Sequence, residues 1–202
     1  MHEFLSLPYD YDALEPFIDA ETMKFHHDGH HKAYAEKLNA VLADYDDLKN
    51  MPAEELLKNL KEVPEEIRMQ VKNFGGGYVN HNFLWSILGK GSEFFGEVTE
   101  EIVLKFRSYD KFKEKFSDYA NKLFGSGYVW LVVDIDGEIE IMTTQNQDSP
   151  LSVGKTPLLT IDMWEHAYYL KHQNRKAEYI SDYFNVINWE KVNENYLMAI
   201  KK

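Results

Sequence analysis

The chain contains no cysteine, which excludes disulfides, thiolate metal sites and thiol catalysis. The absence of cysteine fits a reducing compartment, so we expect a cytoplasmic protein. No apolar run approaches the roughly 18 residues of a transmembrane helix. The N-terminal residues MHEFLSLPYD have neither a basic region nor a long apolar region, so we expect no signal peptide and no membrane partner.

Basic residues are also few, since 22 Lys and Arg face 34 Asp and Glu in a chain of formal net charge -12. Such a chain has no overall basic field with which to release counterions from a phosphate backbone, so nucleic acid is not expected as a partner. An anionic substrate would need a local positive entrance to offset the overall field. The length of 202 residues allows one sizeable domain or two small ones.

Histidine, by contrast, is concentrated: residues 23–34, MKFHHDGHHKAY, hold four of the eight histidines. Apolar and aromatic residues recur at steps of three or four over 21–45, which predicts a helix. A second helix is predicted over 65–89, where His81 occupies a position that the pattern reserves for an apolar residue. The triplet at 75–77, all glycine, costs roughly 1 kcal/mol per residue in a helix and indicates a close approach by another element.

Helical phase divides the four clustered histidines into two pairs. His26 and His30 share one face with Tyr34, and His27 and His31 lie roughly 100° further round. The apolar steps along the helix indicate that the face of His26 points towards the second helix.

Four side chains are candidate metal ligands. His26 and His81, on facing helices, could share a metal, although each could also be a hydrogen-bonded core histidine. Asp162 ends an apolar strand, where a carboxylate without a cation is costly, and His166 follows four residues later. The alternative is that Asp162 caps a helix and that His166 lies at the surface. Three neutral imidazoles and one carboxylate would favour iron, manganese or zinc over copper(I).

The pattern changes after Leu-Gly-Lys-Gly-Ser at 88–92. The elements predicted beyond this break are two helices, a hairpin, a third strand and two further helices, at 98–107, 109–124, 128–144, 156–162, 165–173 and 188–200. Asp136-Gly137 is a type I′ hairpin signal. The sequence therefore predicts an α+β fold, with an N-terminal antiparallel helical hairpin domain (1–89) and a C-terminal α/β domain (90–202) that contains a three-stranded antiparallel sheet.

These motifs resemble those of the iron/manganese superoxide dismutases over nearly the whole chain. The matching segments are LPYDYDALEP (7–16), FHHDGHHKAYAEKLN (25–39), GGGYVNHNFLW (75–85), NQDSPL (146–151) and DMWEHAYYLKHQNRKAEYI (162–180). The motif DxWEHAYY is highly specific. The resemblance implies an enzyme that converts two superoxide anions to dioxygen and hydrogen peroxide by alternately reducing and oxidising one manganese or iron ion.

The resemblance assigns four metal ligands, His26, His81, Asp162 and His166. Solvent would be the fifth ligand, and His27 and His31 receive no ligand role. With three neutral histidines and one aspartate, a trivalent metal ion that binds hydroxide gives a net charge of +1. A divalent metal ion that binds water gives the same net charge. One proton would thus accompany each electron.

Eight further residues resemble groups around the family's metal: Tyr34, His30, Gln147, Arg175, Glu165, Trp164, Tyr169 and Trp130. Gln147 would hydrogen-bond the metal-bound solvent and connect it to Tyr34, which relays protons. His30 and Tyr34 would line the substrate entrance, and Trp130 and Trp164 would belong to an aromatic shell.

The remaining three concern the entrance and a partner subunit. Arg175 would supply the local positive charge that a chain of this net charge needs. Glu165 would reach across a dimer interface to the partner subunit's His166, and Tyr169 to the partner subunit's His30. The resemblance therefore implies a homodimer or a homotetramer.

The choice of metal is indicated by where the solvent-bonding glutamine lies. Manganese-type members carry this glutamine at the position of Gln147, and iron-type members carry it at the position of Gly77. The presence of Gln147 and the glycine at 77 therefore favour manganese. LEPFID at 14–19 and the order Phe83-Leu84 are closer to iron-type members, so iron, or use of either metal, stays open. Tyr128 stands where the family commonly has tryptophan, which should change the packing of the aromatic shell.

Two other functions stay open. A non-haem iron protein that binds dioxygen would use a similar ligand set, but it would normally need a larger pocket and often a co-substrate site, for which the sequence has no feature. A structural metal protein would have a closed site, whereas Tyr34 and Gln147 beside the metal indicate an exchangeable solvent ligand.

Overall fold

The computed structural model describes residues 1–201. The elements of the N-terminal part are α1 (Ala20–Lys24), a π-helical turn (Phe25–His31), α2 (Lys32–Leu42), α3 (Ala53–Lys58), α4 (Glu65–Gln70), a second π-helical turn (Val71–Gly75) and α5 (Gly76–Ile87). The side chain of Asp19 caps α1 by accepting the backbone N–H of Thr22. Because α2 packs against α5, the predicted helical hairpin is confirmed.

Both long helices of the hairpin contain a π-helical turn that the periodicity did not predict. The helix predicted over 21–45 runs from 20 to 42 with residues 25–31 in the wider geometry, and the one predicted over 65–89 runs from 65 to 87 with residues 71–75 in it. Such turns occur frequently at functional sites. The first of them carries the histidine cluster.

The C-terminal part combines helices with a sheet. Its elements are α6 (Glu97–Phe106), α7 (Tyr109–Lys122), β1 (Gly127–Val133), β2 (Ile139–Gln145), a 3-10 turn (Pro150–Val153), β3 (Thr156–Asp162), a 3-10 turn (Glu165–Ala167), α8 (Tyr169–His172), α9 (Lys176–Tyr183) and α10 (Trp189–Ile200). The single helix predicted over 165–173 is thus a 3-10 turn followed by the short α8, and the predicted third strand matches β3.

Within the described residues the sheet has three antiparallel strands in the order β2-β1-β3, as predicted. The prediction of a type I′ turn at Asp136-Gly137 is wrong. The loop between β1 and β2 spans 134–138, and only Gly137 in it has a positive φ. The Asp134 carboxylate accepts the backbone N–H of Asp136 and of Glu138, which closes a longer loop. A type I′ turn would need positive φ at both central residues.

The described part of the core has two large clusters, one inside the hairpin and a larger one between the sheet and the surrounding helices, and a small third cluster on β1. Helix α5 contributes to both large clusters and also contacts β3. Side chains on α5 therefore lie beside the end of β3, where the two parts of the chain meet. No helix within residues 1–201 combines the length and the apolar character needed to span a bilayer.

Candidate metal centre

Four side chains that are distant in sequence meet at one point. Oδ2 of Asp162 lies 3.2 Å from Nε2 of His26, 3.8 Å from Nε2 of His81 and 3.4 Å from Nε2 of His166. These potential ligand atoms all lie within 4.8 Å of one another. An ion with bonds of about 2.1 Å to nitrogen and oxygen would span such separations, so the four side chains can share one metal ion.

Each side chain reaches this point from a different element. The first π-helical turn carries His26, α5 carries His81, and β3 ends at Asp162. The other oxygen of Asp162 accepts the backbone N–H of Trp164 at 2.8 Å, and this bond orients the turn that presents His166. The carboxylate therefore holds the segment before the turn and faces the imidazoles at the same time. The alternative in which Asp162 caps a helix is wrong, because neither the 3-10 turn nor α8 has a side-chain cap.

The nitrogens that face the centre lack other partners. Nε2 of His26 and of His81 is buried and has no hydrogen bond within residues 1–201. Nδ1 of His81 lies 2.6 Å from the carbonyl oxygen of Gly77. Because a carbonyl only accepts, Nδ1 carries the proton and Nε2 presents its lone pair to the centre. Unpartnered buried lone pairs are rare, and a cation would satisfy both, so the residues fit a metal ion.

The charge of the cluster also suits a cation. Burial lowers the pKa of His26 to about 4 and holds the pKa of His81 well below its usual range. Burial by itself would raise the pKa of Asp162, but the imidazoles of His166 and His26 outweigh it and lower that pKa. Neutral imidazoles beside an ionised carboxylate are the protonation states that metal binding requires.

His27 and His31 belong to the same turn, and neither is part of the cluster of four candidate ligands. Both ring nitrogens of His27 lie against acceptors, the Asp28 carboxylate at 2.8 Å and the carbonyl oxygen of Leu5 at 2.9 Å. Nδ1 of His31 accepts the indole N–H of Trp85 at 3.2 Å. The structure thus places this pair in packing positions.

Gln147 lies between two hydroxyl groups. Its amide nitrogen donates to the hydroxyl of Tyr34 at 3.2 Å, and its amide oxygen accepts the hydroxyl of Tyr128 at 3.1 Å. Its backbone oxygen accepts the side-chain amide of Asn80 at 3.2 Å. The three contacts fix a buried amide beside the centre. Tyr128 therefore supplies a hydrogen-bond donor as well as packing.

The glycine triplet explains how this amide comes so close to α5. A Cβ atom on Gly76 would collide with the backbone oxygen of Gln147, and one on Gly77 would collide with the ring of Tyr34. A Cβ atom on Gly75 would meet Leu57 at an ordinary 3.6 Å. The predicted close approach is therefore confirmed for the second and third glycines.

Aromatic rings surround the outer side of the centre. The exposed His30 ring stacks on His166 with centroids 4.1 Å apart, and the Trp164 ring stacks on His166 at 5.5 Å. Trp130 is fully buried, and its indole N–H donates to the Thr144 hydroxyl at 2.8 Å.

Three of the predicted residues do not join the cluster within the chain. The side chains of Glu165 and Tyr169 are exposed, and in residues 1–201 no hydrogen bond or ion pair links either side chain to the four candidate ligands. Nε of Arg175 donates to Oε2 of Glu178 at 2.7 Å. The charge of Arg175 is therefore shared with a neighbouring carboxylate.

Asn80 and Trp85 also shape the site and were not predicted to do so. A signal for Asn80 was present, because it is a polar residue on a predicted buried helix directly before His81. Trp85 belongs to the apolar stripe of the same helix, and its bond to His31 depends on which way the indole faces, which periodicity does not determine.

Comparisons with known proteins point in one direction. Residues 1–89 match the family model for iron/manganese superoxide dismutases, alpha-hairpin domain, and residues 95–195 match the model for the C-terminal domain of the same family. The chain is also similar to the protein named superoxide dismutase (Mn/Fe) 2 from Staphylococcus aureus strains Mu50, N315 and MW2. Each of these relatives is 50% identical over 194 residues, which cover 96% of both chains.

Proposed function

The chain belongs to the iron/manganese superoxide dismutase family, and from this premise we propose how its own residues carry out the reaction. Two superoxide anions and two protons become dioxygen and hydrogen peroxide at the centre formed by three imidazole nitrogens and the Asp162 carboxylate. The observation that carries this proposal is the pair of buried, unpartnered Nε2 atoms of His26 and His81 that face Asp162, next to the Gln147–Tyr34 hydrogen bond.

Four side chains would hold one manganese or iron ion per chain: His26, His81, Asp162 and His166. When bound, this ion supplies a one-electron redox couple that accepts an electron from one superoxide and gives one to the next. Manganese is favoured because Gln147 supplies the amide beside the centre, and the ring of Tyr34 occupies the space that a side chain at Gly77 would need. The relatives are named for both metals, so use of iron belongs to the proposal as well.

Protons would reach the centre through Gln147 and Tyr34. Burial raises the pKa of Tyr34, so its phenol keeps its proton at neutral pH. One N–H of the Gln147 amide is bonded to that phenol, which leaves the second N–H to donate to an oxygen at the centre. The Tyr128 hydroxyl holds the amide oxygen and thereby fixes which end of Gln147 points at Tyr34.

The surroundings of the centre would handle an anionic substrate and a partner chain. His30 and Arg175 would line the entrance, Arg175 with part of its charge offset by Glu178. Glu165 and Tyr169 are exposed and would contact a second copy, so a homodimer or homotetramer is proposed. A cytoplasmic location stays a prediction from the absence of cysteine.

Tyr34→Phe and Gln147→Leu variants test the proton route. We expect both to retain the metal and to accelerate superoxide decay roughly 10- to 100-fold less than the unchanged chain, the range found when a group behind a metal ligand is removed. Metal content and decay are measured on the same samples. Unchanged decay in both variants would refute the proton route, and unchanged decay after metal removal would refute the dismutase proposal.

A further inference from the structure

A second group of metal-binding side chains lies away from the centre, where α8 meets α9. His172 ends α8, and Glu178 and Asp182 lie four residues apart along α9, so they share a face of that helix. Nδ1 of His172 lies 3.6 Å from Oε1 of Glu178, and Nε2 lies 3.9 Å from Oδ2 of Asp182. One potential ligand atom from each residue can be chosen so that all three lie within 4.8 Å of one another.

The surroundings of the buried His172 ring favour a positive group. The residue is 1% exposed, and Nδ1 has no hydrogen-bond partner in the described part of the chain. Nε2 lies 3.3 Å from the carbonyl oxygen of Phe17. That oxygen only accepts, so Nε2 donates to it, and Nδ1 is the ring nitrogen that faces the Glu178 carboxylate. A buried ring nitrogen and a carboxylate oxygen that face each other without a hydrogen bond favour a positive group between them.

We propose that His172, Glu178 and Asp182 form a second cation site, which takes a divalent ion of borderline softness such as Zn²⁺. One imidazole nitrogen and two carboxylate oxygens are a donor set that suits such an ion. The 3.6 Å between Nδ1 of His172 and Oε1 of Glu178 is longer than the roughly 2.7–2.9 Å of a charge-assisted hydrogen bond, yet it suits two ligands of one ion. The Asp182 carboxylate lies beside the same ring, 3.9 Å from Nε2. This geometry favours a metal ion over a second proton on the ring.

Access and local charge also favour a cation. The side chains of Glu178 and Asp182 are 49% and 28% exposed, so an ion can enter from solvent and keep water in its remaining positions. Arg175 is bonded to the other oxygen of Glu178, which leaves Oε1 free for the ion. The site shares no side chain with the catalytic centre, and an ion in it would link α8, α9 and, through the His172–Phe17 contact, the segment before α1.

Equilibrium dialysis against Zn²⁺ tests the site in a chain whose catalytic centre is filled with manganese. We expect one Zn²⁺ per chain to bind without loss of manganese, and the melting temperature to rise because the ion binds the folded state. Removing a group behind a ligand already costs about 10- to 100-fold in metal affinity. Glu178→Gln and Asp182→Asn should therefore each weaken Zn²⁺ binding at least tenfold. Glu190→Gln, an exposed carboxylate on α10, is the matched control and should leave the affinity unchanged.

The histidine is tested by NMR of its ring. Zn²⁺ should shift the His172 signals, and His172→Gln should abolish Zn²⁺ uptake. If this substitution of a buried residue prevents folding, the two carboxylate variants, whose side chains are partly exposed, test the proposal instead. The proposal is wrong if Zn²⁺ enters only by displacing manganese, or if both carboxylate variants bind it as tightly as the unchanged chain. It is also wrong if no Zn²⁺ binds and the His172 ring carries two protons at neutral pH.

Discussion

The histidine-rich hairpin has buried histidines on two sides, and we assign them different roles. His26 and His81 on one side are 3% and 0% exposed, and His27 and His31 on the other are 3% and 0% exposed. Burial therefore does not distinguish a proposed ligand from a packing histidine. The difference lies in the lone pair: on the ligand side the Nε2 atoms have no partner and face the Asp162 carboxylate, whereas the Nδ1 lone pair of His31 accepts the Trp85 indole N–H.

On the packing side, three of the four ring nitrogens of His27 and His31 have a partner within residues 1–201, and the exception is Nε2 of His31, the nitrogen that carries the proton. His27 is held by Asp28 and a backbone oxygen, and His31 accepts from Trp85. A buried histidine with such partners contributes to the fold, whereas one with an unpartnered lone pair next to a carboxylate is ready to bind a cation.

The largest change in metal affinity and in superoxide decay is expected when one proposed ligand histidine is replaced and compared with a replaced packing histidine. His26→Gln removes a proposed ligand and should lower metal affinity by at least roughly 10- to 100-fold, with loss of most superoxide decay. His27→Gln, the neighbouring histidine of equal burial, should keep both the metal and the activity. Metal content and decay rate of the two purified variants are compared with those of the unchanged chain. Equal metal content in the two variants would contradict the division.

Acid should destabilise the metal-free chain. Burial lowers the pKa of His26 to about 4 from an unfolded value near 6.5, so between these two pH values the unfolded chain binds more protons than the folded one. The free energy of unfolding should therefore fall as the pH falls from about 6.5 to about 4, by about 3 kcal/mol for this residue alone. Urea unfolding at several pH values measures the slope.

His31 provides the control for this slope on the packing side. Burial lowers its pKa to about 3, so it contributes in the same direction. His31→Gln keeps an acceptor for the Trp85 indole and removes the titrating group, so the slope should become shallower but remain. A free energy of unfolding that does not change between pH 7 and 4.5 would show that the buried rings are not held neutral.

The glycine triplet allows a matched test of the close approach that places Gln147. Gly76→Ala forces a Cβ atom against the backbone oxygen of Gln147 and should destabilise by about 3 kcal/mol or more, since a backbone atom cannot easily move aside. Gly75→Ala has ordinary space and should stabilise the helix by roughly 0.5–1 kcal/mol. Thermal unfolding of the two variants gives the sign of each change, and two changes of the same sign would count against the approach.

The smallest effect is expected at Tyr128. Tyr128→Phe removes the hydroxyl that donates to the Gln147 amide and leaves a buried acceptor unpaired, at a cost of about 1–2 kcal/mol in stability. If Tyr128 orients Gln147, the pH profile of superoxide decay should shift as well. Tyr128→Trp offers an indole N–H instead and should keep the profile close to that of the unchanged chain. An unaltered pH profile of superoxide decay in the Tyr128→Phe variant would show that Tyr128 contributes to packing alone.

Much of the fold was predictable because its signals are local. Steps of three and four along the hairpin and β-branched runs around Gly137 predicted the helices and the sheet. The π-helical turns could not be predicted, since a single wider turn hardly changes the spacing of apolar residues. The loop type was wrong because Asp136-Gly137 suits more than one loop length, and the Asp134 carboxylate selects the longer one.

The centre was predictable only in part. Helical phase separated His26 from His27, but the set of four ligands came from the resemblance, because spacing along the chain does not show that β3 ends beside α5. The His172 cluster was not predicted, since its residues lie on two helices separated by a turn in which Gln173 has a φ of 48°. Contacts that depend on how elements pack are absent from the periodicity of any one element.

The central claim is that four side chains hold one manganese or iron ion, on which superoxide decay depends. Stepwise reconstitution of the metal-free chain, with manganese and with iron separately, tests it most directly, with Asp162→Asn as a control that keeps the shape of the carboxylate and removes its charge. We expect the decay rate to rise with bound metal to a plateau at one ion per chain, and the decay rate of the Asp162→Asn variant not to rise. A rate that is independent of metal, or an equal rise in the control, would contradict it.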